Sequence, residues 1–312
     1  MASEPQKRTA ARRWVMAVLM LAAVVVAAGV LFHTLGADEG RAAQQSAVEI
    51  GPQPEPIDSM TVQLNEDGLE LELVWIPPGE FMMGSPESEA SRGSDEAQHH
   101  VRLTHGFWMG KCEVTQEQWE AVTGKNPSYL RGDMQMPVDN IGYEECQVFL
   151  GGLAERHPGG TFRLPTEAEW EYACRAGTAT PFAFGETISS AQANYNGNAV
   201  YGNGTHGRNR KSSIPVGSLY ANAWGLYDMH GNVWEFCEDS YGKRYYDRSP
   251  EVDPANAEET GMLVLRGGSW RLPPRLCRSA TRSRHPRDAT RCDGGLRVVF
   301  VPEEESASET TE

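Results

Sequence analysis

Between Gly177 and Tyr227 the chain shows neither the 3.6-residue period of a helix nor the alternation of a strand, and it is crowded with Gly, Asn and Ser. A connection of that length without regular structure is rare inside a compact domain, so it must be an ordered loop region with something to hold it. The flanking segments are better marked. Thr166-Glu-Ala-Glu169 is a capping box, in which the threonine hydroxyl accepts a backbone N–H while the glutamate reaches back to the cap. The helix it starts should run to Arg175 and stop at Gly177. Thr115-Gln-Glu-Gln118 has the same pattern and starts another helix. Leu69-Glu-Leu-Glu-Leu73 alternates strictly, and Val101, Leu103 and Phe107 among polar residues read as one more half-buried strand.

Charge narrows the partners. With 43 acidic against 28 basic residues the net charge is −15, which argues against nucleic acid, because phosphate binding needs Lys and Arg to neutralise it. Basic residues do gather at the N-terminus, where Lys7, Arg8, Arg12 and Arg13 precede Trp14 to Phe32, an uncharged run of 19 residues. That run can span a bilayer. A cleaved signal peptide would need an Ala-x-Ala-like site, and Leu35-Gly36-Ala37 is a poor one. The expectation is a cytoplasmic segment over 1–13, an uncleaved single-pass anchor over 14–32, and everything beyond exported to a periplasmic or cell-surface location. Residues 33–59, rich in Ala, Gln, Glu and Pro, read as a flexible linker, 60–301 as one folded domain, and 302–312 as a disordered acidic tail.

Two stretches could carry chemistry. In Gly225-Leu-Tyr-Asp-Met-His-Gly-Asn-Val-Trp-Glu235, Asp228 and Glu235 flank a glycine turn, and a hard cation such as calcium takes carboxylates plus backbone carbonyls from such a turn. The plainer reading is a tight turn around a buried Trp234. In Arg266-Gly-Gly-Ser-Trp-Arg-Leu-Pro-Pro-Arg-Leu-Cys277, a single thiol lies beside Arg275 and Arg278, whose charge would favour a reactive thiolate. Free cysteine is also among the residues most often buried as packing. The six cysteines allow 15 complete disulfide pairings, and the sequence selects none.

Five motifs taken in order give a more specific expectation. Val74-Trp-Ile-Pro-Pro-Gly-Glu-Phe-Met-Met-Gly84, Glu113-Val-Thr-Gln-Glu-Gln-Trp119, Arg163-Leu-Pro-Thr-Glu-Ala-Glu-Trp-Glu-Tyr-Ala173, Gly225 to Glu235 and Arg266-Gly-Gly-Ser-Trp270 resemble the formylglycine-generating enzyme family, also called the sulfatase-modifying factor family. The resemblance implies an α+β fold of low regular secondary structure, a variant of the C-type-lectin-like architecture. It also implies, for authentic members, oxygen-dependent oxidation of a sulfatase cysteine in Cys-x-Pro-x-Arg to formylglycine at a Cu(I) site of two thiolates.

Carried onto this chain, the family's active-site serine is Ser269, its second copper cysteine Cys277, and Trp234 lies in the same catalytic set. The first copper cysteine falls on Leu272, which cannot be deprotonated or bind a metal. The family's neighbouring histidine and tyrosine are Pro273 and Leu276, and an asparagine near the C-terminal Gly-Phe-Arg is Asp293. The resemblance also implies two structural calcium sites. One would use the side chains of Asp228 and Glu235 with the carbonyls of Gly231 and Val233; the other would use Asn194 and the carbonyl of Tyr195. Two functions remain open at this point: an anchored oxidase with an unusual site around Cys277, or a noncatalytic module that binds a peptide, glycan or protein partner.

Overall fold

A computed structural model describes residues 58–303. The expected basic segment, anchor, nearly all of the linker and most of the acidic tail lie outside the described residues. Among the described residues no helix is long and apolar enough to cross a membrane.

The architecture is mixed helix and sheet with few helices. Strand β1 (Ser59–Gln63) pairs antiparallel with β2 (Glu70–Ile76), and β2 with β5 (Phe107–Gly110). The last strand, β11 (Val299–Pro302), is inserted between β5 and β6 (Gly160–Arg163), which gives a five-stranded sheet of order β1-β2-β5-β11-β6. A second sheet has the order β10-β7-β8-β9, built from β7 (Trp234–Ser240), β8 (Met262–Arg266), β9 (Ser283–Pro286) and β10 (Gly294–Gly295). Strands β3 (Gly79–Met83) and β4 (His99–Leu103) form a separate hairpin. The segment expected as one strand around Val101 to Phe107 is therefore two, β4 and β5, in different sheets. The chain turns at Thr104, where the Asp253 carboxylate accepts both the backbone N–H and the hydroxyl.

Three helices pack on these sheets. Helix α1 (Gln116–Thr123) and helix α3 (Glu167–Arg175) both start at the expected capping boxes, with Thr115 Oγ1 accepting from Gln118 N and Thr166 Oγ1 from Glu169 N at 3.1 Å each. Helix α3 ends at Arg175 because Ala176 and Gly177 both turn left-handed, at φ 45° and 86°. The longest helix among the described residues, α2 (Tyr143–Arg156), has no counterpart in the sequence reading.

Every residue of α3 is buried, including its charged ones. That is tolerable only because each charge is paired. Arg266, with no exposed surface, spans Glu167 at 3.2 Å and Glu171 at 2.5 Å; Arg282 adds a second pair to Glu167, and Arg175 a second to Glu171 at 2.8 Å. The helix is pinned to β8 by ion pairs as much as by Trp170 and Ala173, which join Val74, Ile76, Met109, Val264 and Val299 in one apolar core. A second core gathers Leu71, Leu73, Phe149, Leu153, Phe162, Phe236 and Phe300, with Trp119 stacked on Phe149 at 5.1 Å.

The long loop region carries no helix or strand from Arg175 to Trp234. What holds it is a core of its own: Phe182, Ile188, Ala193, Tyr195 and Tyr201 close around Cys277. Burying a large apolar side chain contributes roughly 1.5–3 kcal/mol before ordering entropy is subtracted. Four such side chains therefore supply an anchor comparable with the net stability of a domain, on the order of 5–15 kcal/mol.

Candidate functional site

Cys277 stands where the chain emerges from a short 3₁₀ turn, Pro274–Leu276. Above it, Gly267 and Gly268 both have positive φ, and a Cβ on Gly268 would sit 2.5 Å from the cysteine sulfur, so the Arg-Gly-Gly-Ser motif is shaped to let the backbone cross the thiol. The sulfur has no exposed surface, and it donates to the Pro273 carbonyl at a long 3.9 Å. Burial pushes the thiol up to about 12, only partly offset by the Ser269 N–H. The expected activation by Arg275 and Arg278 does not occur. Arg278 turns away to Glu89 and Glu96, and Arg275 is exposed at the surface.

The residues do not fit copper. Leu272, in the place of the first copper cysteine, packs against the apolar core, and Cys277 is held as a neutral thiol in another. Thiol labelling checks this: the exposed Cys292 should react with a maleimide in the native protein, and Cys277 only after denaturation. Native modification of Cys277 at a comparable rate would contradict the sealed site. All six cysteines are unpaired.

Ser269 lies next to Cys277 and, with Trp234, whose backbone N–H donates to the Asp293 carbonyl, belongs to a polar cluster. Ser269 Oγ donates to Asp293 Oδ2 at 2.7 Å, Arg291 pairs with the other oxygen of Asp293 at 2.8 Å, and the Arg291 guanidinium lies 5.7 Å over the Trp234 ring. Both Ser269 and Asp293 are buried, so the serine hydroxyl is engaged as a donor and is not offered to a substrate. Asp293, noted in the sequence as a departure, is the residue that ties it down. Nearby, Asp139 is buried with Oδ2 unpartnered, and burial holds it up at about 6. Outward of this cluster, Arg271 covers Trp270 at 5.2 Å and donates to Cys292 Sγ at 3.4 Å. The indole N–H groups of Trp234 and Trp270 have no partner.

The calcium expectation splits. Glu235 is fully buried and already holds a cation: Arg297 donates to Oε1 at 2.7 Å and to Oε2 at 2.9 Å, and Trp170 Nε1 adds 2.7 Å. A carboxylate saturated by a guanidinium does not fit as a calcium ligand. Asp228 lies close by with left-handed backbone and accepts from Gly217 N at 2.7 Å; burial is the main cause that raises it to about 6. Glu113, which the sequence reading missed, completes this acidic group by accepting from Asn232 Nδ2 and Val233 N. Burial, with Asp228 and Glu235 beside it, raises its carboxyl well above the usual range.

The other expected set fares better. Gly231 bridges to Asn194 and must be glycine, since a Cβ there would meet the Asn194 carbonyl at 2.3 Å. The Asn194 amide nitrogen donates to Ser212 and Asn232, but its Oδ1 is buried with no donor, which fits one oxygen ligand of a hard cation. Tyr195, its neighbour, spends its side chain in the loop core, with its hydroxyl on the Ile188 carbonyl. Among the described residues no group of three or more His, Cys, Asp or Glu is gathered to hold a metal.

Residues 60–301 match the sulfatase-modifying factor enzyme 1-like domain. The chain belongs to the sulfatase-modifying factor family. It is 38% identical over 201 residues to the formylglycine-generating enzyme of Streptomyces coelicolor, covering 62% of this chain and 60% of that one. It is 30% identical over 271 residues to the serine/threonine-protein kinase pkn1 of Chlamydia caviae, covering 78% of this chain and 41% of the kinase. The chain thus spans well under two thirds of these curated relatives. Among solved structures, PvdO from Pseudomonas aeruginosa superposes with a TM-score of 0.65 at 28% identity, over 77% of this chain and 97% of that one.

Proposed function

We propose that this chain is a noncatalytic member of the sulfatase-modifying factor family that serves as a binding module for a polypeptide partner, on a C-type-lectin-like variant of the α+β fold. One observation carries the reading: the sole thiol at the family's copper position is a neutral, fully buried side chain in the core that anchors the long loop. With Leu272 opposite and Ser269 committed to Asp293, the place where the chemistry would occur offers no second thiol, no thiolate and no free hydroxyl. What the same region offers outward is the Trp270–Arg271–Arg291 face, an aromatic ring and two guanidinium groups, chemistry suited to recognition; the two unpaired indole N–H groups lie buried behind it. The run Trp14 to Phe32 would tether this module to a membrane with the domain on the extracytoplasmic side.

The test is to incubate the full-length protein with Cu(I), oxygen, a thiol reductant and a Cys-x-Pro-x-Arg peptide, and to follow the peptide by mass spectrometry. No aldehyde product is expected, and none should appear on Leu272→Cys alone, because Cys277 stays buried. Formation of formylglycine by the native chain, abolished by Cys277→Ser, would overturn the proposal in favour of an oxidase.

A further inference from the structure

The second sheet carries a feature that the family site does not use. Pairing of β7 with β8 is regular at Phe236↔Leu265 and resumes at Ser240↔Leu263, so Cys237, Glu238 and Asp239 of β7 lie opposite Val264 alone of β8. The bulge turns Glu238 outward, as such irregularities do where a strand re-aims a side chain. Over it lies a cavity of about 670 Å³ whose lining includes Met262, Leu263, Glu238, Glu259 and Arg287. The Arg287 guanidinium lies flat on the Tyr143 ring at 3.7 Å.

Among the described residues, neither Arg287 nor Glu238 nor Glu259 makes an ion pair, whereas the buried Arg266, Arg278 and Arg297 each do; Arg163 acts on Glu238 only at longer range. An unpaired guanidinium pre-oriented by an aromatic face, with unpaired carboxylates and an apolar wall in the same cavity, is complementary to a molecule of both charges. The volume is that of a small-ligand site. Acidic side chains alone would indicate no more than a solvated surface; Arg287, stacked on Tyr143 in the same lining, is what makes the cavity selective.

We propose that this cavity binds a zwitterion of the amino-acid type, its carboxylate on Arg287, its ammonium on Glu238 and Glu259, and its side chain against Met262 and Leu263. The site is separate from the Trp270–Arg271–Arg291 face and stands or falls independently of the polypeptide-binding reading. The same chemistry occurs in a free amino acid and in the two ends of a short peptide, and the test distinguishes them.

Calorimetric titration of the full-length protein would use L-leucine, leucine amide, N-acetyl-leucine and the dipeptide Leu-Leu. Leucine or Leu-Leu is expected to bind saturably, with the two singly charged analogues weaker by about tenfold, the worth of one charge-assisted contact. Tighter binding of the dipeptide assigns the charges to peptide ends, and tighter binding of leucine to a free amino acid. Arg287→Gln should erase the difference between leucine and its amide, and Glu238→Gln with Glu259→Gln that between leucine and its acetyl form. All three positions are exposed, so the variants keep the fold, which circular dichroism verifies. Absence of saturable binding by every probe, or equal binding of the blocked analogues, would overturn the proposal.

Discussion

Arg266→Met should lower unfolding stability by about 3–5 kcal/mol, the range found when one partner of a buried ion pair is removed. Arg266 touches both Glu167 and Glu171, donates to the Ser279 and Ala280 carbonyls, and packs 5.2 Å over the Trp170 ring. A methionine fills much of the same volume but leaves all four acceptors short of a donor in a site with no exposed surface. Glu167 keeps Arg282 and Glu171 keeps Arg175, which is why the loss should stop short of two uncompensated charges. Urea midpoints on the full-length protein measure it. A shift below about 1 kcal/mol would mean that the cluster adds no more than a surface ion pair does. Arg266→Lys should recover only part of the loss, because an ammonium cannot span two carboxylates with a fixed fork.

The second large effect is a dependence on pH. Asp239 is buried, accepts from the backbone of Glu167 and Asn256, and is raised from 3.8 to about 7, chiefly by burial and then by Glu167. Because the folded state holds this proton more tightly than the unfolded chain, the stability it contributes is fully present below about pH 4 and is lost as pH rises through about 7. The full span corresponds to about 4 kcal/mol. His230 works in the opposite sense: burial lowers it to about 4, so its contribution is lost as pH falls below its ordinary 6.5. Comparing the native protein with Asp239→Asn cancels His230 and isolates the carboxyl. The stability gap between the two should move in favour of the native protein by up to about 4 kcal/mol from pH 7.5 to pH 4. A gap that does not vary with pH would show that Asp239 titrates as an ordinary surface carboxyl.

Local signals in the sequence were those with a local cause. Both capping boxes could be read because hydroxyl and carboxyl lie three residues apart, and the stop after Arg175 followed from the glycine beyond it. Helix α2 escaped notice because its cap is Gly142, which has no side chain to signal it, and because Gly151 and Gly152 interrupt the pattern; Glu145 still returns to the Gly142 N–H at 3.1 Å. The division of Val101 to Phe107 into two strands depends on Asp253, far along the chain. At the candidate site, the family resemblance singled out Cys277, Ser269 and Trp234. It could not reveal that Glu235 would meet Arg297, sixty-two residues away, or that the loop would close its aromatic side chains over the thiol. Those outcomes depend on which surfaces are buried together, and no short window of sequence contains that information.

Strand β11 lies between β5 and β6, so the final strand of the domain is an interior member of its first sheet. Until Val299–Pro302 has been made, β5 and β6 each present an open edge, and the loop-rich middle of the chain has no finished sheet to rest on. The domain is thus compelled to fold after synthesis and not along with it, through contacts of long sequence separation that form slowly. A chain cut just before Val299 would keep nearly all its residues and motifs and still leave a gap between two strands, an opening that another polypeptide strand could fill.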